Sequence, residues 1–298
     1  MKNFSDRIQS GEVLAADGAM GSLLMATAGD LIKGSCPEAV NLSRPEILEK
    51  VAKLYLDAGA DIIQTNTFGG SPLKLSDYKM DEKTEEINRT AVQSVRKVIG
   101  KEAYLSASVG PSGKLLKPLG PVSENEMFDN FHRQAKVLIN HEVDVICVET
   151  MTDIKEAILA VKAIRDISKT IPVMSTMTYN PSPRGFFTVM GVTVEKAAAE
   201  AAAAGANVVG SNCGNGIENM VLIAREYRKH SKLPLMIQAN AGLPELKDDK
   251  PFYPETPEFM ASKVKDLVDA GVMIVGGCCG TTPDHIRAFR QAIDKLES

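Results

Sequence analysis

The chain has 298 residues, 44% hydrophobic and 24% charged, with 34 basic against 38 acidic side chains and a net charge of −4. This is the make-up of a globular domain and excludes a disordered, collagenous or coiled-coil chain. No Lys/Arg cluster stands out, so no nucleic-acid partner is expected. The opening MKNFSDRIQSGEVLAADG has no apolar segment of signal-peptide type, and no stretch approaches about 18 apolar residues, so no membrane span is expected. Five cysteines in such a chain predict reduced thiols and a cytoplasmic location rather than a disulfide framework.

Short apolar runs alternate with helical patterns along the whole length. The first run, VLAAD (13–17), leads into Asp17-Gly18-Ala19-Met20-Gly21. A helix is predicted over 44–58, with Ser43 as its N-cap, Pro45 and Glu46 in its first turn and Gly59 just past its end. ADIIQTN (60–66) comes next and ends at Asn66, which either orients a neighbour or simply finishes the strand; a helix over 83–99 follows. Then come AYLSASV (103–109) with a helix over 123–141, VDVICVE (143–149) with a helix over 153–168, and PVMSTMTY (172–179) with a helix over 193–204. The last three pairs are NVVGSN (207–212) with 216–230, PLMIQAN (234–240) with 256–270, and VMIVGG (272–277) with 283–296. Runs of five to eight residues rich in Val and Ile, without polar alternation, are the pattern of parallel strands covered on both faces. Eight such strand–helix pairs predict one (β/α)8 TIM barrel, residues 1–298 forming a single domain; a doubly wound sheet is the alternative.

In a barrel the active site lies at the strand C-terminal ends. Glycines and functional side chains concentrate there: Glu149 at the end of the fourth run, Cys213 just after the sixth, Asn240 at the end of the seventh, and Gly276-Gly277-Cys278-Cys279-Gly280 at the end of the eighth. Strands six and eight are separated only by strand seven, so Cys213, Cys278 and Cys279 converge, and three thiolates suit zinc with one exchangeable position. Cys36 and Cys147 read as ordinary buried cysteines. Asp17 is either a turn residue before Gly18 or a site residue. Glu149 follows an apolar run, where a charge needs a partner, which favours a site role.

The segments DGAMG, NTFGG, SVGP, ETMTD, NCG, NAGLP and GGCCGTTPDHI occur in the order of the homocysteine S-methyltransferase family, and the chain resembles that family from residue 13 to about 290. It most resembles the homocysteine-binding domain of the cobalamin-dependent methionine synthase branch. The resemblance implies Cys213, Cys278 and Cys279 as Zn²⁺ ligands and Asn240 as an exchangeable fourth ligand. It also implies Asp17, Gly18, Ala19 and Met20 as the homocysteine-binding loop, with backbone N–H groups near Ala19 and Met20 facing the carboxylate, and Glu149 on the amino group. The implied activity is methyl transfer to the homocysteine thiol, giving methionine, from a methylcorrinoid such as methylcobalamin. The chain ends soon after the eighth helix, leaving no room for folate, cobalamin and activation domains, so a separate corrinoid protein is the expected partner unless the sequence is an excised domain. Dependence on S-methylmethionine, S-adenosylmethionine or betaine, or a non-catalytic homocysteine-binding subunit, are the alternatives. After the fifth strand, Ser182–Gly191 departs from the family's Gly-Arg-Thr/Ser-x-x-Gly phrase.

Overall fold

The computed structural model describes residues 2–21, 23–24, 36–247 and 250–297. Eight parallel strands form one sheet: β1 (Leu14–Ala15), β2 (Ile62–Gln64), β3 (Tyr104–Val109), β4 (Val145–Met151), β5 (Val173–Met177), β6 (Val208–Asn212), β7 (Leu235–Ala239) and β8 (Val272–Gly277). Their order is β1-β8-β7-β6-β5-β4-β3-β2. The circle closes between β1 and β2, where Ala16 bridges Ile62, the Asp17 N–H donates to Ile62 O at 2.9 Å and the Asp61 N–H donates to Ala15 O at 2.7 Å. This is the expected (β/α)8 barrel, and every strand falls inside or within two residues of its predicted run.

Alternation along each strand sorts the side chains into an inner and an outer set. Leu14, Ile62, Tyr104, Val145, Met174, Val208, Met236 and Ile274 meet inside the barrel with Cys147. The larger apolar set, including Ile63, Leu105, Ile146, Val209 and Val275, packs outward against the surrounding helices. Those helices carry apolar residues at three- and four-residue spacing; Glu124–Asn140, for example, buries Met127, Phe131, Ala135 and Leu138. Gly59, Gly205 and Gly271 all adopt positive φ at helix ends, the left-handed geometry expected of them.

The structure corrects two local readings. Ser43 does not cap the helix Pro45–Asp57; it ends a short preceding helix, Val40–Ser43, and its hydroxyl donates to Ala39 O at 3.1 Å. The helix predicted over 256–270 divides at Lys263 into Pro257–Ser262 and Val264–Asp269. Elements outside the prediction include an N-terminal helix, Phe4–Gln9, a short helix, Pro72–Ser76, and two antiparallel hairpins, Asn180–Ser182 with Gly185–Phe187 and Glu245–Lys247 with Lys250–Phe252. Among the described residues no helix is long and apolar enough to cross a membrane.

Candidate functional site

The inner positions change character along the barrel axis. Two and four residues beyond the apolar layer, the same strand faces carry Ser106 and Ser108 on β3, Cys147 and Glu149 on β4, and Gly210 and Asn212 on β6. Above them opens a cavity of about 260 Å³. Cys213, Cys278 and Cys279 line one part of it; Glu149, Ser108 and Gln64 line another; Gly18, Ala19 and Met20 also contribute.

The cysteines are brought together by their attachment to β7. The Cys213 N–H donates to Gln238 O at 3.1 Å and the Cys278 N–H donates to Ala239 O at 2.7 Å, so the ends of β6 and β8 are both tied to the strand between them. Close approach of β8 to β1 requires glycine. A Cβ on Gly276 would lie 2.8 Å from the Ala16 Cβ, and one on Gly277 would lie 2.3 Å from the Thr281 hydroxyl. The three sulfurs all fall within 4.8 Å of one another, with Cys213 Sγ and Cys279 Sγ 3.9 Å apart. A tetrahedral zinc with bonds of about 2.3 Å holds its thiolates about 3.8 Å apart, so this thiol set fits the ion. The cluster also favours one thiolate: Cys279 is held well below the usual thiol range by hydrogen bonds from Cys213 and Cys278. Cys36 and Cys147 are buried elsewhere.

Glu149 is buried at the end of β4. The Ser108 hydroxyl donates to its Oε1, and the Asn212 amide donates to its Oε2 at 3.2 Å. Burial raises its pKa to about 7, against the lowering effect of the Ser108 hydroxyl and the nearby Gln64 amide. Asp17 lies behind the cavity rather than on its wall, fully buried. Its Oδ2 accepts the Gln64 N–H at 2.8 Å, while Oδ1 has no partner. Burial, reinforced by the nearby Glu149 charge, raises its pKa to about 8. The Ala19 N–H already donates to the Thr281 hydroxyl at 3.2 Å, so it does not point at a ligand as the sequence reading expected. Asn240 is buried outside the cavity wall with Oδ1 unpartnered, one residue before Ala241, whose N–H donates to Cys279 O at 2.9 Å.

Asn66 orients a neighbour. Its amide donates to Pro37 O at 2.9 Å and to Asn41 Oδ1 at 2.7 Å, fastening the segment that places buried Glu38 on the cavity wall. His285 does not face the cavity; its Nδ1 accepts the Thr282 N–H at 3.1 Å and its Nε2 contacts Glu255 O at 3.0 Å, which secures the start of Pro283–Glu297. The divergent segment Ser182–Gly191 falls largely on the hairpin, and none of it lines the cavity. Sequence reasoning missed Glu38, Gln64, Ser108, Thr150 and Gln238 as cavity residues. For Gln64, Ser108 and Gln238 a usable signal existed: a polar side chain one or two residues before the end of its predicted run, on the same face as the inner apolar residue of that strand.

A sequence model of the homocysteine S-methyltransferase family matches residues 14–293. The methionine synthase of Mycobacterium leprae is 31% identical over 297 residues, covering 94% of this chain and 24% of that protein. The methionine synthase of Mycobacterium tuberculosis is 30% identical, covering 97% of this chain and 25% of that protein. The chain thus spans about a quarter of the length of these relatives. Among solved structures, the metallated homocysteine methyltransferase MmuM of Escherichia coli superposes with a TM-score of 0.80 at 21% identity, covering 96% of this chain and 98% of that one, a likeness of fold.

Proposed function

The chain belongs to the homocysteine S-methyltransferase family, and on that premise we propose that it transfers a methyl group to the thiol of homocysteine, giving methionine. The observation that carries this reading is the pairing of two unlike features on one cavity: three converging thiols, and a buried carboxylate held by Ser108 and Asn212. An amino acid with a side-chain thiol has the matching pair of groups. Cys213, Cys278 and Cys279 would hold zinc, with Asn240 as the exchangeable fourth ligand. Zinc bound there would supply acidity, making the homocysteine sulfur a thiolate at neutral pH.

The protein's own residues select and place the substrate. Glu149, ionised once an ammonium group lies against it, holds the amino group. Gln64, whose buried Nε2 has no partner, supplies a donor for the carboxylate beside the Gly18–Met20 loop. Asp17, behind Gln64, fixes the Gln64 backbone and so the wall. The substrate thiol loses its proton; its sulfur forms a bond to the methyl carbon while the carbon–donor bond breaks and the donor keeps that electron pair.

The resemblance of its motifs to the cobalamin-dependent branch favours a methylcorrinoid as donor, presented by a corrinoid-carrying protein, and the similarity to methionine synthases is in keeping with methionine as product. Leu119, Val189 and Leu243 stand 61–71% exposed on loops after β3, β5 and β7, apolar side chains at the end of the barrel that such a partner would approach. Reduced thiols support action in the cytoplasm. The test is anaerobic spectroscopy of zinc-loaded protein with methylcobalamin and homocysteine. Loss of the methyl–cobalt band that requires both protein and homocysteine is expected. No reaction in protein that retains zinc and binds homocysteine, while S-methylmethionine or betaine does react, would overturn the corrinoid assignment.

A further inference from the structure

Two residues of the site adopt a backbone conformation that their side chains disfavour: Thr150 has φ 58° and Cys213 has φ 62°. Thr150 lies where the β4–β5 register slips. Val148 pairs with Ser175 and Met151 with Met177, so Glu149 and Thr150 together stand opposite Thr176 alone. A bulge of this kind re-aims a side chain and removes an N–H from the ladder. Here the N–H belongs to Thr150 and the side chain beside it is Glu149.

One buried side chain, reaching from β6 past β5, fills the gap. Asn212 Oδ1 accepts the Thr150 N–H and the Thr176 hydroxyl, both at 2.7 Å. Its Nδ2 donates to Thr150 Oγ1 at 2.7 Å and to Glu149 Oε2 at 3.2 Å. Both lone pairs and both N–H groups of the amide are therefore used. Its main-chain carbonyl accepts the Thr178 hydroxyl at 2.8 Å, which fixes the peptide entering Cys213. Only an amide of this length accepts from the bulge and donates to the carboxylate at once. An aspartate would set a second carboxylate against Glu149, and a leucine would leave four polar groups unpaired.

We propose that Asn212 is a positioning residue: it stabilises the Glu149–Thr150 bulge, aims Glu149 at the substrate amino group, and keeps that carboxylate in register with Cys213. This rests on the homocysteine reading above. The test compares binding of homocysteine and of 4-mercaptobutyrate, the same thiol acid without the amino group, to zinc-loaded protein by calorimetry. Wild-type protein that does not prefer homocysteine overturns the underlying assignment of Glu149. With that preference established, Asn212→Ala should weaken homocysteine binding about tenfold or more, the worth of a hydrogen bond to a charged group. Binding of 4-mercaptobutyrate and of zinc, the latter by chelator competition, should stay within about twofold. Thr176→Val, which removes a hydroxyl donor to the Asn212 amide and touches no substrate, should show the same selective loss at smaller size, and decides the matter if Asn212→Ala does not fold. Equal loss for both thiols, or loss for neither, overturns the proposal.

Discussion

The two ends of the barrel are built on opposite terms. At the bottom, the N-terminal helix inserts Phe4 and Ile8 against the inner apolar layer. Phe4 meets Tyr104 edge-on at 5.3 Å, and the Tyr104 hydroxyl donates to Lys2 O at 2.7 Å. Arg7 closes the rim on Asp61 at 2.8 Å. At the top, Asp17 Oδ1, Gln64 Nε2, Gln238 Oε1 and Asn240 Oδ1 are buried without partners. Two residues of the site sit in left-handed backbone, a conformation that costs about 1–3 kcal/mol each. Apolar packing dominates one end; the other gathers several buried unsatisfied groups around the cavity that a ligand would complete. The difference teaches that stability and chemistry occupy separate ends of the same strands, and substitutions should separate them.

The largest effect is expected at the top. Cys213→Ala or Cys278→Ala should lose both zinc, read by elemental analysis, and methionine formation by about a thousandfold or more. A zinc-free variant with full activity would break the scheme. Phe4→Ala should do the reverse: lower stability by about 3 kcal/mol, seen as a fall in Tm, with kcat and zinc content unchanged at 25 °C. Glu149→Gln should keep zinc and fold but raise the KM for homocysteine about ten- to a hundredfold, the range for a hydrogen bond to a charged group.

The smallest effect is a pH slope in metal-free, substrate-free protein. Asp17 binds its proton more tightly folded, at about 8, than at its ordinary 3.8, so its contribution is complete below pH 4 and is lost as pH rises toward 8. Denaturant midpoints should fall across that window, and Asp17→Asn should flatten the slope, by at most about 1.4 kcal/mol per pH unit. An unchanged slope in Asp17→Asn would place the titration elsewhere.

The barrel was legible because β/α periodicity is local. VMIVGG at 272–277 reads as a buried strand without knowing its neighbours, and it is β8 to the residue. The thiol cluster was legible because barrel order brings the ends of strands six and eight together. What escaped depended on distant partners. The helix Phe4–Gln9 has six residues, too few for periodicity to speak, and it forms on the barrel floor that buries Phe4 and Ile8. Asn212 looked like any strand-end asparagine, because the register slip it serves lies about 60 residues away on β4. Lys263 carries no Gly or Pro signal, so the break there was invisible. Ser43 had the right chemistry for a cap, but the short helix before it took that residue instead.

The ladder between β1 and β8 pairs Leu14 with Ile274 and Ala15 with Val275. In biosynthetic terms, the first strand to leave the ribosome must wait for the last before it gains that neighbour. Cys213 likewise meets Cys278 and Cys279 only when β8 docks beside β7. Such long-range pairing makes closure a late event in folding. Any ion that needs all three sulfurs can be captured only by a chain whose translation has passed residue 279, so metal uptake would certify a finished barrel.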